Sequence, residues 1–280
     1  MSMSGERIEQ NIRPDELPFQ LPPWFRLGRN MLNRRLGLDE ALDHLNALDG
    51  LQGGAFFDAL LERMRVEVRV RPRDGAAIPR SGRLMVVCNH PTGGIDGIVS
   101  LAAMLRVRPD VKMVANRFLT NIPHIESVLL PVDPPRQKRR TSVGIRDIVE
   151  HLKADKALFV FPAGWVASRQ DSGVAVDGTW NPILAKIIRH CRTPVQPFFV
   201  NTVNTNGFYR IRSLNRGLGS LLLVRELLGK QGQSVELRVG EAIAHDALAH
   251  LSEPAALMGL LRERTYALAD RPVGAGMASA

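Results

Sequence analysis

The sequence predicts an α/β fold in which a mixed, mostly parallel sheet is covered by helices. Short apolar runs of strand length alternate along the chain with segments whose apolar residues recur at helical spacing. Several of these runs end at Pro, Gly, Asn or Asp, as is typical where a buried strand meets a loop. With 280 residues, 45% of them hydrophobic, the chain is long enough for one large α/β domain plus an extension.

The order of the predicted elements is typical of such a sheet. Period-two alternation over 66–70 predicts a half-exposed strand, and further strands are predicted at 84–88, 111–115, 128–132, 157–161, 195–200 and 235–239. Helices are predicted after Asp96, after Ser142, over 180–191 and over 253–268. We therefore divide the chain into an N-terminal helical extension of residues 1–65, an α/β domain of residues 66–270 and a disordered tail of residues 271–280.

The N-terminal extension is predicted to contain three helices. The first, over 24–36, interleaves arginines with large apolar residues, which suits a membrane interface but equally suits a helix packed on its own domain. Asp39 is predicted to cap the second helix, and Gly53 and Gly54 to break it. Residues 56–64 are predicted to form the third.

Charge and cysteine content narrow the classes of function. The net charge of +9 implies an anionic partner, such as nucleic acid, an acidic membrane surface or an acidic carrier. The only cysteines, Cys88 and Cys191, form no CxxC pair, which predicts a reducing compartment and argues against a disulfide framework or a zinc site. No apolar run approaches the roughly 20 residues of a membrane span. We expect a cytoplasmic protein that contacts membranes only peripherally.

The stretch from Leu84 to Gly97 contains the clearest candidates for chemistry. A buried strand ends before His90, two glycines then permit a tight turn, and Asp96 lies where the next helix begins. Imidazole titrates near neutrality, so a histidine here can act as a general base, and a carboxylate beside it can fix its tautomer. The alternative is that His90 is only a turn residue and Asp96 only a helix cap.

These residues resemble the first motif of the glycerolipid acyltransferases, which acylate lysophosphatidic acid and related lysolipids. The usual family pattern is His, four residues, Asp, whereas here five residues intervene and Ile95 holds the position that the shorter spacing would give the aspartate. The form Asn-His-Pro-x-Gly-Gly-x-Asp-Gly is similar to a bacterial branch, often labelled hemolysin-like, that has the same extra residue. The resemblance covers residues 66–245.

The stretch from Phe161 to Arg169 resembles the third motif of the family. Most members have Phe-Pro-Glu-Gly-Thr-Arg-Ser, and the hemolysin-like branch is nearer to Phe-Pro-Ala-Gly-Glu-Val-Ser. In this chain Ala163 replaces the family glutamate and Trp165 stands where the branch has its own glutamate. Gly164 remains as a close-approach position for a ligand, or alternatively as an ordinary strand-end turn, and Ser168 follows one residue late.

Two further segments resemble the second and fourth motifs. Asn116 and Arg117 stand at the second, and the resemblance suggests Arg117 as the contact for the acceptor phosphate, with a surface arginine as the alternative. Residues 193–199 resemble the fourth motif, a proline-bearing strand thought to line the acyl pocket, for which simple core is the equal alternative. A polar loop that can contact a head group follows, with Asn201, Asn204 and Asn206.

The resemblance implies an enzyme that moves a fatty acyl group from acyl-CoA or acyl carrier protein to a hydroxyl of a lysolipid, without a cofactor. His90 would deprotonate the hydroxyl and Asp96 would support His90. Backbone N–H groups near Gly93, Gly94 or Gly164 would hold the oxyanion. The remaining substrate-binding residues would be Asn89, Asn116, Arg117, Ser168 and Arg169.

The expected partners follow from this interpretation. They are the lysolipid, the acyl donor and the anionic inner face of the membrane, and the basic loop 136–140 suits either acidic donor. Two alternatives stay open. The missing acid of the third motif is compatible with a catalytically silent, lipid-binding or membrane-docking relative, and the basic charge alone supports a nucleic-acid binder. Because no helix-turn-helix or RNP signature is present, we expect no specific nucleic acid.

Overall fold

The computed structural model describes residues 35–71, 74, 77–132, 143–169, 175–214, 219 and 222–269. Its centre is a seven-stranded sheet in the order β1-β9-β8-β2-β5-β3-β4. The strands of this sheet are β1 Glu67–Val70, β2 Leu84–Cys88, β3 Lys112–Asn116, β4 Leu129–Val132, β5 Ala157–Val160, β8 Val195–Asn201 and β9 Ser234–Val239. Two short strands, β6 Ser168–Arg169 and β7 Ala175–Val176, form a separate antiparallel pair.

Neighbouring strands of the large sheet run parallel, except for β8 and β9, which run antiparallel. The central strands β2 and β5 are buried along their whole length, as their continuous apolar sequences predict for strands covered on both faces. The carboxyl ends of β2, β3, β4, β5 and β8 therefore meet at one edge of the sheet, called here the carboxyl edge. The predicted mixed, mostly parallel α/β fold is confirmed.

Helices cover both faces of this sheet. They are α1 Leu38–Ala47, α2 Gly53–Arg63, α3 Ile95–Leu105, α4 Pro123–Glu126, α5 Val143–Lys153, α6 Ile183–Cys191, α7 Asn206–Leu214, α8 Leu223–Leu228, α9 His245–Leu248 and α10 Pro254–Tyr266. A 3₁₀ turn, Arg117–Asn121, follows β3. Both predicted helices after Asp96 and after Ser142 are present as α3 and α5.

Alternation along β2 divides the core into two layers. Leu84, Val86 and Cys88 face a cluster that contains residues of α2 and α3, whereas Met85 and Val87 face a second cluster formed with α5, α6 and α10. Burying each such side chain stabilises the fold by about 1.5–3 kcal/mol. Because α2 packs in the first cluster, the described part of the N-terminal extension shares the core of the α/β domain.

Two details of the extension differ from the predictions. Gly37, with φ 74°, precedes α1 as its N-cap, and Asp39 lies in the first turn, so the predicted cap at Asp39 was wrong. An acidic residue in the first turn still interacts favourably with the helix dipole. Gly53 and Gly54 begin α2 instead of only breaking the preceding helix, because Gly53 adopts φ 54° and directs the chain into the new helix.

Several predictions lie outside the described residues. These include all but the last two residues of the predicted helix over 24–36, the basic loop 136–140, Ser142 and the tail 271–280. Among the residues that the structure does describe, none of the helices has both the length and the apolar character that crossing a bilayer requires.

Candidate active site

The carboxyl edge of the sheet brings together the segments that the sequence singled out. Residues 89–94 follow β2, residues 161–167 follow β5, the 3₁₀ turn follows β3, and residues 202–205 follow β8. Because β8, β2, β5 and β3 are consecutive neighbours and run the same way, these four segments lie side by side.

His90 and Asp96 are hydrogen-bonded to each other at this edge. His90 Nδ1 lies 3.0 Å from Asp96 Oδ2, and the Asp96 side chain is fully buried. The same carboxylate oxygen accepts hydrogen bonds from the backbone N–H groups of Thr92 at 2.9 Å and Gly93 at 3.1 Å. Its second oxygen accepts from Gly97 N–H at 3.0 Å. The carboxylate is thus held by one imidazole and three backbone donors.

Gly93 accommodates the five-residue spacing between the histidine and the aspartate. It adopts φ 82°, a left-handed conformation in which a side chain is strained, and α3 begins two residues later. A Cβ at this position would lie 2.5 Å from Val166 Cγ2, closer than atoms in contact allow. The turn therefore requires glycine, and through it Asp96 in the first turn of α3 reaches back to His90.

The electrostatics of this pair determine which imidazole nitrogen is available. Burial alone would raise the pKa of Asp96, but the charge and hydrogen bond of His90 and the N–H groups of Thr92 and Gly93 hold that pKa below its usual value. Against an ionised Asp96, Nδ1 of His90 must carry a proton, so a neutral ring has its lone pair on Nε2.

The Nε2 side of His90 is directed away from these interactions. Its ring stacks on Phe161, with 3.9 Å between ring centroids, and 18% of its side chain is exposed. Nε2 has no hydrogen-bond partner within the described parts of the chain. An imidazole held in this way can accept a proton from a hydroxyl that approaches from the exposed side.

Asp177 is a further residue of the site that the sequence analysis did not identify. It is buried after β7, and its Oδ1 accepts a hydrogen bond from His90 N–H at 3.0 Å while its Oδ2 accepts from the Trp180 indole N–H at 3.1 Å. Burial raises the pKa of Asp177, and the hydrogen bonds from His90 and Trp180 partly oppose this rise. The carboxyl group therefore fixes the backbone of His90, whereas Asp96 fixes its ring.

Asp177 is itself held by α10. Its backbone N–H donates to the Tyr266 hydroxyl at 2.8 Å, and its carbonyl accepts from Arg262 Nη2 at 3.0 Å. The Arg262 guanidinium lies over the Tyr266 ring, 5.0 Å from the centroid. Burial raises the pKa of Tyr266, so its hydroxyl stays protonated. No local pattern in the sequence indicates this arrangement, because Arg262 and Tyr266 lie 85 and 89 positions after Asp177 along the chain.

We expect Asp177→Asn to lower kcat by about tenfold to a hundredfold with little change in KM, because a small displacement of His90 impairs proton transfer. Because His90 N–H and the Trp180 indole face different oxygens of Asp177, the single oxygen of an asparagine can replace only one of these acceptors. The matched control is Trp180→Phe, which removes the indole donor but leaves the Asp177 oxygen that accepts from His90 in place, so it should cost little activity. Steady-state kinetics of the two variants check this, and equal losses would contradict a positioning role.

The stability of the same variant supplies an independent readout. A raised folded-state pKa means that the Asp177 carboxyl favours the folded state most at pH below the ordinary aspartate pKa. This stabilisation of the folded state is lost as the pH rises through the raised folded-state pKa of Asp177. The free energy of unfolding of Asp177→Asn should therefore fall less than that of the wild type over this range, as denaturant titrations at several pH values would measure.

Asn89 was predicted to contact the substrate, but its side chain is hydrogen-bonded to the backbone of β8. Its Nδ2 donates to the carbonyl of Val200 at 3.0 Å, and its Oδ1 accepts from Val200 N–H at 2.8 Å. The side chain is buried and ties the end of β2 to β8. Asn89 therefore places the backbone of the following His90, and its amide is engaged within the sheet.

The predicted polar loop after β8 is divided between different elements. Asn201 ends β8 and Asn206 begins α7, which the sequence analysis did not predict. Asn204 is buried between them, and its Nδ2 donates to Thr92 O at 3.1 Å. This bond supports the turn whose N–H groups hold Asp96. The loop is itself fixed by α8, because Glu226 accepts hydrogen bonds from the N–H and the hydroxyl of Thr205.

The other predicted site residues lie further around the same edge. Asn116 is the N-cap of the 3₁₀ turn, and its Oδ1 accepts a hydrogen bond from Phe118 N–H. The first residue of the turn, Arg117, is exposed. Ser168 and Arg169 are exposed in β6, and Arg169 Nη1 donates to Asn206 Oδ1. The side chains of Asn116 and Arg169 thus bind Phe118 and Asn206, at some remove along the chain from His90 and Asp96.

The three glycines predicted as oxyanion donors differ in their availability. Gly93 N–H donates to Asp96, and Gly164 N–H donates to Phe161 O at 2.9 Å, so both are already engaged. Gly164 is exposed with φ 66°, as expected of a strand-end turn. Of the three, only Gly94 keeps an N–H without an acceptor among the described residues. It stands directly before α3, where the positive end of the helix dipole favours an anion.

Other reactive groups near the site are unsuited to catalysis. Cys88 lies two residues before His90, but burial raises the pKa of its thiol well above the usual value, so it is no nucleophile. Within the parts of the chain described here, no three His, Cys, Asp or Glu side chains are grouped in a way that suits a metal ion.

Several known proteins that are similar to this chain are acyltransferases by name. The family model described as Acyltransferase matches residues 68–275. A lyso-glycine lipid O-acyltransferase of Phocaeicola vulgatus is 24% identical over 228 residues, which cover 77% of this chain and 78% of the relative. One of Bacteroides thetaiotaomicron is 25% identical over 242 residues, with 82% and 85% covered.

A solved structure has a similar fold. It is the 1-acyl-sn-glycerophosphate (LPA) acyltransferase PlsC from Thermotoga maritima, with a TM-score of 0.50 at 16% identity. The match covers 88% of this chain and 90% of that chain. At this level of identity the likeness concerns the fold alone.

Proposed function

The chain belongs to the acyltransferase family, as its glycerolipid acyltransferase motifs predicted, and from this premise we propose that it transfers a fatty acyl group from a thioester donor to a hydroxyl of a lysolipid. The observation that carries the proposal is the hydrogen bond of 3.0 Å between His90 Nδ1 and the buried Asp96 carboxylate. It leaves Nε2 as a base beside an open edge of the sheet.

The proposed reaction proceeds in two steps without a covalent enzyme intermediate. His90 Nε2 takes the proton of the acceptor hydroxyl while the oxygen attacks the thioester carbonyl, and the carbonyl electron pair moves onto its oxygen as an oxyanion. When the tetrahedral intermediate collapses, the C–S bond breaks and the thiolate takes the proton back from Nε2. We assign the oxyanion to the N–H of Gly94, directly before α3. The thioester is acyl-CoA or acyl carrier protein.

Arg117 is proposed to bind an anionic group of the acceptor. It begins the 3₁₀ turn after β3, which is separated from β2 only by β5. Two interstrand spacings place the strand ends about 10 Å apart. This separation suits a head group that lies several bonds from the reacting hydroxyl. The net charge of +9 further supports action at the anionic inner face of a membrane.

The relatives bear on which acceptor is used. Both are lyso-glycine lipid O-acyltransferases by name, so we propose a lysolipid with an amino-acid head group as the first acceptor to test. In this chain Trp165 occupies a position where the resembling branch has glutamate, and 48% of the side chain is exposed after β5. An indole presents an apolar wall with one N–H donor, which suits an acceptor other than simple lysophosphatidic acid.

We expect the wild type to be active and Trp165→Glu to shift its acceptor preference part of the way towards lysophosphatidic acid. The measurement is acyl-product formation by both proteins across acceptors with phosphate, zwitterionic and amino-acid head groups. A change of about tenfold in the ratio of kcat/KM values is expected for one altered head-group contact.

The same experiment tests the proposed function against the silent alternative. Ala163 and Trp165 leave the third motif without its acid, and this absence favours a relative that binds lysolipid without converting it. The intact His90–Asp96 pair supports activity instead, because it can complete the proton transfers alone. Tight lysolipid binding without product in the wild type, with turnover restored by Trp165→Glu, would establish the silent alternative.

A further inference from the structure

Large exposed apolar side chains are concentrated beside the active site. The described residues contain five of them, and four follow β5 or β8 at the carboxyl edge: Trp165, Val203, Ile211 and Leu214. Their exposed fractions range from 37% for Ile211 to 86% for Leu214. Single exposed apolar residues are normal on a protein surface, but a group of them at one place commonly marks a binding surface. We call these four residues the apolar rim.

The segments that carry the rim are packed together on the catalytic turn. Phe208 and Tyr209 of α7 form a buried cluster with Val166, which directly follows Trp165. Arg212 Nη2 donates to Val166 O at 2.6 Å. Val166 in turn lies against Gly93, since a Cβ on Gly93 would lie only 2.5 Å from Val166 Cγ2. One face of α7 is therefore fixed beside the His90 turn, while its other residues project into solvent.

Basic residues accompany the rim. The sequence of α7, NGFYRIRSL, contains two arginines and no acidic residue, and Arg210 is exposed between the buried Tyr209 and the exposed Ile211. Arg169, also exposed, is hydrogen-bonded to Asn206 at the start of the same helix. Apolar side chains interleaved with arginines, in a chain of net charge +9, are complementary to a bilayer that carries anionic head groups.

We infer that the apolar rim docks on an anionic lipid bilayer, with Ile211 and Leu214 entering the head-group region and the arginines binding lipid phosphates. The docked protein holds the carboxyl edge, and with it His90, against the membrane surface. The inference rests on the proposed function, since a lysolipid acceptor resides in that surface. It is independent of the predicted amphipathic helix over 24–36, all but the last two residues of which lie outside the described residues.

The test is a flotation assay of the full chain with vesicles of phosphatidylcholine, with and without phosphatidylglycerol. The double variant Ile211→Ser, Leu214→Ser should partition onto the anionic vesicles about tenfold less than the wild type. The reason is that the two serines bury less apolar area in the bilayer. The matched control is Ile145→Ser in α5, which follows β4, a strand separated from β8 by three strands of the sheet; Ile145 is 47% exposed, and this variant should bind like the wild type. Equal partitioning of the rim variant and the wild type would overturn the inference.

Turnover of a short-chain lysolipid, dissolved as a monomer, separates this inference from the proposed function. The rim variant should retain wild-type activity on the monomer while losing activity on vesicles. Absence of turnover in both proteins, with the difference in partitioning preserved, would count against the proposed function and would support the rim. A rim variant that binds vesicles normally but binds acyl carrier protein less would assign the surface to a protein and overturn the inference.

Tryptophan fluorescence gives a second measurement. The chain has three tryptophans, and Trp180 is buried and hydrogen-bonded to Asp177. In a Trp24→Phe variant, a change in emission on binding therefore reports on Trp165. Docking of the rim predicts a blue shift with anionic vesicles, because the indole moves into a less polar environment. An emission spectrum that does not change at saturating vesicle concentration would overturn the inference.

Discussion

Replacing His90 by alanine should lower the rate of acyl transfer by about 10²-fold or more, the contribution of a positioned general base. The fold should survive, because the His90 ring is partly exposed and packs on Phe161 at the edge of the sheet. Asp96 would keep its three backbone donors, so we expect the free energy of unfolding to fall by no more than about 3 kcal/mol. Product formation and thermal unfolding of the purified variant are the two measurements.

A second histidine offers a closely matched control. His245 Nδ1 lies 3.3 Å from Asp246 Oδ1, and 19% of its side chain is exposed, against 18% for His90. It follows Ile243, which bridges to Val195 at the start of β8, so it lies at the opposite edge of the sheet. His245→Ala should leave turnover unchanged. If His90→Ala were as active as this control, the assignment of His90 as the base would be wrong.

Replacing Asp96 by asparagine should lower the rate by at least about a hundredfold, because the carboxylate no longer holds the proton on Nδ1 and no longer stabilises the imidazolium. The substitution also destabilises the turn. All the groups that Asp96 binds are donors, so the new amide NH₂ must face one of them. An unsatisfied buried donor of this kind costs about 1–3 kcal/mol. Kinetics and denaturant unfolding of Asp96→Asn measure the two effects.

A double-variant cycle separates these two effects of Asp96. If the carboxylate acts through the imidazole, Asp96→Asn should reduce activity strongly in the wild type but hardly further once His90 is alanine. The loss of stability should appear in both backgrounds. Additive losses of activity would instead mean that Asp96 only maintains the turn, and the interpretation of the two residues as one catalytic unit would fail.

The strands and the main helices could be predicted because their patterns are local. The apolar run of β2 and the helical spacing after Asp96 are each contained within about a dozen residues, and both were confirmed by the fold. The two glycines also allowed the expectation that Asp96 can reach His90 across five residues. The φ of 82° at Gly93 supplies the physical reason.

The remaining features depend on contacts between distant parts of the chain. Asp177 contacts His90 from 87 positions away and Tyr266 from 89, and its own segment has no periodicity that marks it. Asn89 was expected to contact substrate, and only its pairing with Val200, 111 positions along the chain, identifies it as a link between strands. Polar residues at strand ends can bind either a ligand or the backbone, and composition does not distinguish the two uses.

The helices α7 and α8 were missed for a related reason. Both are short, and both depend on tertiary packing more than on helix propensity. The cluster of Val166, Phe208 and Tyr209 joins the segments that follow β5 and β8, so it depends on contacts between distant parts of the chain. Consequently the exposed face of α7, and the surface that it forms beside His90, is visible only in the folded chain.

In the proposed reaction, His90 activates a lysolipid hydroxyl for direct attack on a thioester. The most direct measurement follows thiol release and ester formation together, with purified wild-type protein, an acyl thioester and either a lysolipid or its analogue lacking the reacting hydroxyl. We expect thiol release only with the intact lysolipid, in an amount equal to that of the ester formed, and neither product with His90→Ala. Thiol release with the deoxy analogue, or an acyl group left on the protein, would contradict it.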